Sequence, residues 1–277
     1  MRILLFTVFA LIAFAANSLL CRMALGNSSI DPASFTLLRV LSGAGVLVLI
    51  SSLSGHKRQS FLSPDWPSAA LLFLYAAAFS IAYVSLSAGT GALILFGAVQ
   101  STMMLGAIRT GERPSTLVWI GLLVALAGLV YLASPGLTAP PMIGSLLMAI
   151  AGVAWGVYSL RGRRTGRNPL VDTTRNFIGA LPMVALVSVA GISKVHLTGN
   201  GLILAVISGG IASGVGYVIW YKALLGLTAT RAATVQLSVP VLAAYGGTMV
   251  LSEKVTLRLV LSAILILGGI ALSLIKR

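Results

Sequence analysis

Glu253-Lys254-Val255-Thr256, running into the apolar stretch Leu257–Leu274, decides the fold, because the chain has already used this layout once. Glu112-Arg113-Pro114-Ser115 opens Thr116–Leu132 in the same way: an acid, a base, a β-branched residue or proline, a hydroxyl, then a long apolar run. A small residue stands nine positions past each acid (Gly121, Ser262), and a glycine sixteen past it (Gly128, Gly269). The copies are 141 residues apart in a chain of 277. Few residues are identical, so what repeats is a pattern. Repetition at this scale sets the architecture before any local reading does. It predicts two versions of one half, residues 1–136 and 137–277.

The solvent follows from composition. Hydrophobic residues make up 58% of the chain, charged residues 9%, and the mean hydropathy is +1.02. A soluble domain carries roughly 25% charged residues, so this chain could not cover a globular surface with polar groups. A helix crossing the hydrocarbon of a bilayer needs about 20 apolar residues. Candidate spans fall at 3–24, 33–54, 66–87, 90–109, 115–134, 142–161, 171–191, 200–221, 229–251 and 256–275. The expected fold is therefore an all-α integral membrane protein with ten transmembrane helices. Five spans per half is an odd number, which turns the second half upside down relative to the first. The halves become two inverted five-helix repeats, an arrangement whose substrate sites lie near the bilayer midplane.

Net charge is +14. In a chain of this class it reads as an orientation signal and not as a nucleic-acid patch, since basic residues gather on the cytoplasmic side. With the N-terminus inside, inner segments hold 13 of the 19 Lys and Arg residues, the largest group being Arg161, Arg163, Arg164 and Arg167. Outer segments hold Arg22, Lys194, Lys254 and Arg258. Arg39 and Arg175 fall inside hydrophobic spans. The reading places the protein in a bacterial inner membrane with both termini cytoplasmic. Arg2, the apolar run and Ala15-Ala16-Asn17 have the form of a signal peptide, but the segment is long enough to span and has a counterpart in Ile143–Arg161.

Arg39 and Arg175 are the sharpest candidates. Each follows a proline closely (Pro32, Pro169) and precedes a glycine (Gly43, Gly179). Charge inside a bilayer is expensive and is usually paired or functional. Two readings stay open for the pair: a structural bond or snorkelling near opposite faces, and gating. A second set is polar and aromatic: Asn17, Gln100 and Gln236, with Tyr83, Trp155, Tyr158 and Tyr217. Singly, each reads as an interhelical hydrogen bond or an interfacial aromatic. Jointly they fall on corresponding helices of the two halves and suggest one substrate cavity. Glu112, Glu253 and Pro240 are expected to gate or to hold structure.

The five acids, Asp31, Asp65, Glu112, Asp172 and Glu253, all fall at expected helix ends or in loops. No carboxylate stands at mid-membrane to relay protons or hold sodium, which favours a neutral or zwitterionic solute. Cys21 is the single cysteine and forms no internal disulfide. No nucleotide-binding loop, HExxH or paired intramembrane aspartates are present, so no cofactor, metal or enzyme activity is expected. A membrane-embedded receptor or assembly protein, or a lipid-modifying enzyme, remains the alternative to a transporter.

These residues resemble the drug/metabolite transporter superfamily and, within it, the EamA-like family. The likeness rests on the two glutamate turns with their glycines, Trp155-Gly156, Arg39 and Arg175 in the second helix of each half, and Pro240 ahead of Glu253. Phe14-Ala15 stands where family members often have Trp-Gly, and Val99 where the second half has Pro240. The resemblance implies ten helices in two inverted repeats, and movement of small organic solutes, often export of amino acids or related metabolites. It also implies a cavity lined by the first, third, fourth, sixth, eighth and ninth helices. A reporter active only in the periplasm, fused after Arg277, is expected to stay silent; activity there would refute the ten-span topology.

Overall fold

The computed structural model describes residues 2–56, 63–111, 115–133, 139–164 and 168–274; Glu112 lies outside the described residues. Apolar helices occupy the expected positions: α1 (Arg2–Gly26), α2 (Pro32–Leu53), α3 (Trp66–Ala82), α4 (Ala88–Arg109), α5 (Thr116–Ala133), α6 (Met142–Arg164), α7 (Pro169–Ala190), α8 (Gly199–Leu224), α9 (Ala229–Leu251) and α10 (Leu257–Leu274). Among the described residues seven of them are long and apolar enough to cross a membrane, namely α1, α2, α4, α6, α7, α8 and α9. The shorter apolar stretches are Trp66–Ala82, Thr116–Leu132 and Leu257–Gly269. No strand forms among the described residues, and the one extended contact there is an isolated antiparallel bridge, Ile30 with Leu197.

The helices start where the sequence supplies caps. Asp31 accepts from the backbone N–H of Ala33 and Ser34 ahead of α2, and Asn168 from Leu170 ahead of α7; proline follows each cap. Burial works to raise the Asp31 carboxyl, but hydrogen bonds from Ser34, His196 and Ala33 outweigh it and hold the group below the usual carboxylate range. Ser87 caps α4 through Thr90 N–H, and Thr228 caps α9 through Arg231 N–H. Those hydroxyls also stand 141 residues apart, the spacing of the two glutamate turns.

Two elements depart from the sequence reading. The third span ends at Ala82, not at residue 87, and Tyr83–Ser87 form the turn into α4, which starts at Ala88. The ninth is not one continuous helix: it consists of Ala229–Val235 and Ser238–Leu251, with a break at Gln236-Leu237. Pro240 explains the break, since it has no N–H to give the carbonyl four residues back and its ring clashes there. α8 also changes form midway, as Ser208–Val215 widens into a π-helix between two α segments.

The outer face of the bundle is apolar as well as its core. Leu4, Leu53, Leu123, Leu186 and Ile264 face outward, while Asn17, Arg39, Gln100 and Gln236 are buried. α1 packs on α8 and α9, and α6 packs on α3 and α4. α2 lies against α7 and α8, α3 against α7, and α4 against α9. α5 and α10 form their own pair. The repeated small residues of the two glutamate stretches make that last contact. A Cβ at Gly269 would lie 2.5 Å from Gly121 O, and one at Gly128 would lie 2.8 Å from Leu265 Cβ.

The tightest approach is between α2 and α8. A Cβ at Gly209 would stand 2.0 Å from Arg39 O, and Gly43 faces both Phe177 and Gly209 O. Small residues at such crossings let backbones meet in lipid. Gly209→Val is therefore expected to lower the melting temperature of the detergent-solubilised protein sharply, since overpacking costs about 1–3 kcal/mol or more. Gly45→Val, on the outward face of the same α2 with open space around it, is expected to leave it unchanged. Equal behaviour of the two variants would contradict the crossing.

Candidate functional site

Arg39 lies at the centre of the bundle, only 2% exposed. Its Nε donates to Ser213 Oγ at 3.0 Å, and its Nη2 donates to the hydroxyls of Tyr217 at 2.8 Å and Tyr75 at 3.2 Å. The guanidinium stands over the rings of Phe79 and Tyr75, 5.0 and 5.2 Å from their centroids. Its Nη1 has no hydrogen-bond partner, and no carboxylate of the described residues is within ion-pairing reach. A buried charge costs several kcal/mol. Hydrogen bonds to a charged group return about 1.5–3 kcal/mol each, and a ring face about 0.5–2 kcal/mol. Neutral partners from α3 and α8 thus hold the cation, with one nitrogen left over.

Around it the predicted polar residues converge. Asn17 Nδ2 donates to Tyr75 OH at 3.4 Å, and Asn17 Oδ1 accepts from Ser208 Oγ at 2.6 Å. Both serines that serve the site, Ser208 and Ser213, belong to the π-helical stretch. π segments recur at functional sites because they re-aim side chains within a helix. Trp155 contacts the rings of Tyr217, Tyr75, Phe14 and Tyr158, with centroids 4.6, 5.1, 5.4 and 5.6 Å away. Its Nε1 donates to Gln236 Oε1 at 3.0 Å. Gln236 sits at the α9 break, and its Nε2 donates to Ala232 O. Tyr158 OH accepts from Asn176 Nδ2 at 3.2 Å.

The structure thus brings Asn17, Trp155, Tyr158, Tyr217 and Gln236 together with Arg39. Gln100 is buried on α4 and its Oε1 has no partner. Tyr83 is placed elsewhere, in the α3–α4 turn against Gly91, with its hydroxyl donating to Ala88 O. Pro240 is buried at the start of the second α9 segment. Arg39 and Arg175, paired in the sequence, have different surroundings. Arg39 is enclosed by α2, α3 and α8, whereas Arg175 is half-buried at one end of the bundle, donating to Ser63 Oγ and lying 3.9 Å from Asp172. Tyr75, Phe79, Ser208 and Ser213 were not singled out in the sequence. Tyr75 and Phe79 lie four residues apart in an apolar helix, and nothing in their pattern marks them.

Two further groups tie the ends of the bundle. At the end carrying the α3–α4 and α9–α10 loops, Arg22 Nε donates to Glu253 Oε1 at 3.2 Å, and Arg22 Nη1 to the carbonyls of Tyr83 and Val84 at 3.1 Å each. Glu253 also accepts from Ala88 N–H, at 2.9 Å from Oε2, at the start of α4. At the opposite end, Arg163 Nε donates to Leu227 O at 3.2 Å in the α8–α9 turn. Arg161 pairs there with Asp65 at 3.1 Å. Burial works to raise the Asp65 carboxyl, but hydrogen bonds from Ser68 and Arg161 outweigh it and hold the group below its ordinary range. Arg22 and Arg163 stand 141 residues apart, so the repeat offset could have flagged both.

Comparison with known proteins agrees with this architecture. Residues 142–275 match the model of the EamA-like transporter family. An uncharacterized protein of Pseudomonas aeruginosa is 50% identical over 279 residues, covering 100% of this chain and 96% of that protein. An uncharacterized transporter of Archaeoglobus fulgidus is 27% identical over 202 residues, 70% of each chain. The uncharacterized transporter YoaV of Bacillus subtilis is 21% identical over 260 residues, 90% of this chain and 89% of that one. One crystal structure superposes with a TM-score of 0.68 over 96% of this chain and 97% of the other, at 23% identity, a likeness of fold alone. The chain is an integral membrane protein that belongs to the EamA-like family of the drug/metabolite transporter superfamily.

Proposed function

We propose that this protein is a secondary transporter, working as an exporter, that moves small organic metabolites such as amino acids or related compounds across the bacterial inner membrane. It does so by alternating access between two inverted five-helix repeats, residues 1–136 and 137–277, with ten spans and both termini cytoplasmic. One observation carries the reading. Replacing each helix by the one five later maps the main contacts onto one another: α1 with α8 and α9 becomes α6 with α3 and α4, α2 with α8 becomes α7 with α3, while α2–α7, α4–α9 and α5–α10 map onto themselves. Inverted repeats of this kind place the substrate between them, where Asn17, Trp155, Tyr158, Tyr217 and Gln236 meet; Gln100, buried on α4, and Tyr83, in the α3–α4 turn, are proposed to complete the lining. Asp31, Asp65, Asp172 and Glu253 stand at helix ends or in loops, which favours a neutral or zwitterionic solute over a cation.

On this reading α1, α8 and α9 rock against α3, α4 and α6. Arg22 and Glu253 hold one end closed by gripping the α3–α4 turn, and Arg163 grips the α8–α9 turn at the other. Proteoliposomes are expected to exchange at least one solute from a labelled panel of neutral and zwitterionic metabolites; exchange of none would end the transporter reading. Alternating access has its own test at the α4–α9 contact, where a Cβ at Gly89 would lie 2.9 Å from Ala244 Cβ. In a Cys21→Ser background, oxidised Gly89→Cys/Ala244→Cys is expected to lose at least nine-tenths of its flux, roughly the threshold of a tenfold effect, and to recover on reduction. Undiminished flux with the disulfide formed would mean that this end does not open.

A further inference from the structure

Arg39 is set up for more than holding helices together. The guanidinium has five N–H donors in a planar fork, and three of its bonds go to neutral hydroxyls on α3 and α8. Nη1 is buried and has no partner, although the side chain is surrounded by residues that could have been acidic. Its counterpart Arg175 has Asp172 three residues earlier on the same helix, 3.9 Å away. Three residues before Arg39 stands Thr36, whose hydroxyl is spent on Pro32 O. The first half therefore carries the base of the pair without the acid. The hydroxyls of Tyr75 and Tyr217 beside it can turn to donate to an anion, as can Ser213. Next to this polar group stands an aromatic wall of Phe14, Trp155 and Tyr217, so charge recognition and an apolar surface are adjacent.

We infer that Arg39 is the residue that binds the carboxylate of the transported solute. This rests on the transporter reading and narrows it: of neutral and zwitterionic solutes, the zwitterions are carried, through their carboxylate. One carboxylate oxygen takes the Nη1 donor, and the other shares Nη2 with the tyrosine hydroxyls, giving the planar two-bond geometry that guanidinium and carboxylate form. The rest of the solute faces Phe14, Trp155 and Tyr217. An uncharged isostere of the carboxylate forfeits the charge-assisted bonds. A purely structural clasp between α2, α3 and α8 has no such preference.

The test uses the purified full-length protein in detergent and a panel of small amino acids and monocarboxylates, each matched with its primary amide, read by thermal shift and by Trp fluorescence. At least one carboxylate is expected to bind about tenfold or more tightly than its amide, the least that loss of a charge-assisted bond implies. Arg39→Lys is expected to keep the fold and lose about tenfold in that affinity, since a point charge does not replace the fork. Arg39→Met is expected to abolish the preference. If the Arg39 variants do not fold, the carboxylate-over-amide comparison on the unaltered protein still decides. Equal binding of acid and amide, or no binding by any carboxylate in the panel, overturns the inference. Exchange of only uncharged solutes in proteoliposomes, with no carboxylate preference, would overturn it while leaving the transporter reading in place.

Discussion

A full charge placed in the middle of an apolar bundle constrains everything near it. Lipid offers Arg39 no water and the nearby helices offer no carboxylate, so its partners have to be dipoles held in place by the fold. Ser213 reaches it because α8 widens into a π stretch at Ser208–Val215. That stretch lies close enough because Gly209 and Gly43 let the two backbones meet, with no room for a Cβ at Gly209 against Arg39 O. Tyr75 and Phe79 come from the other side on α3, presenting a hydroxyl and two ring faces. The glycine-rich run in α8, its departure from α-helical form and the aromatic content of α3 are thus parts of one solution.

The ends of the bundle obey different energetics. Arg22–Glu253 and Arg161–Asp65 are partly exposed ion pairs, and pairs of that kind contribute about 0–1 kcal/mol. Glu253 adds a bond to the first N–H of α4, and Arg22 adds two to carbonyls at the end of α3, so each residue satisfies backbone groups that a helix end leaves free. Such ties fix a geometry without making it costly to leave. The centre is held by ring packing and buried hydrogen bonds, and α5 and α10 by close glycine contacts. Transport by alternating access, as proposed, asks for that division between firm helix pairs and releasable ends.

The all-helical fold and the places of its apolar helices could be read from residue order alone, because lipid asks for long apolar runs and the composition makes lipid the solvent. The caps were legible too, since Asp31-Pro32 and Asn168-Pro169 are strong helix starts. Depth was not. Arg39 is seven residues into α2, about 10 Å along the axis, which reads as near an interface. Depth along one helix says nothing about which neighbours surround it, and α3 and α8 enclose Arg39 completely. The break in α9 was half legible, since Pro240 announced a freed carbonyl but not that Gln236 would turn to meet Trp155. Contacts between halves, such as Arg22 with Glu253 or Asn17 with Ser208, depend on how the halves interleave, and a pattern along one chain does not encode that directly.

The proposed inverted duplication accounts for where the halves agree and where they differ. On that reading a turn of one half at one end has its equivalent from the other half at the opposite end, so a residue useful for tying one end is useful at the other. Arg22 and Arg163 both grip the carbonyls of a following hairpin turn, and Ser87 and Thr228 both cap the helix after it. The centre is shared by both halves and exists once. Two buried arginines there would repel each other in a medium that screens poorly. One copy must therefore be neutralised or moved outward, and Arg175 shows both changes: it sits toward an end and has Asp172 on its own helix. Arg39, with Thr36 in place of that acid, keeps its charge free in the one place the two halves have in common.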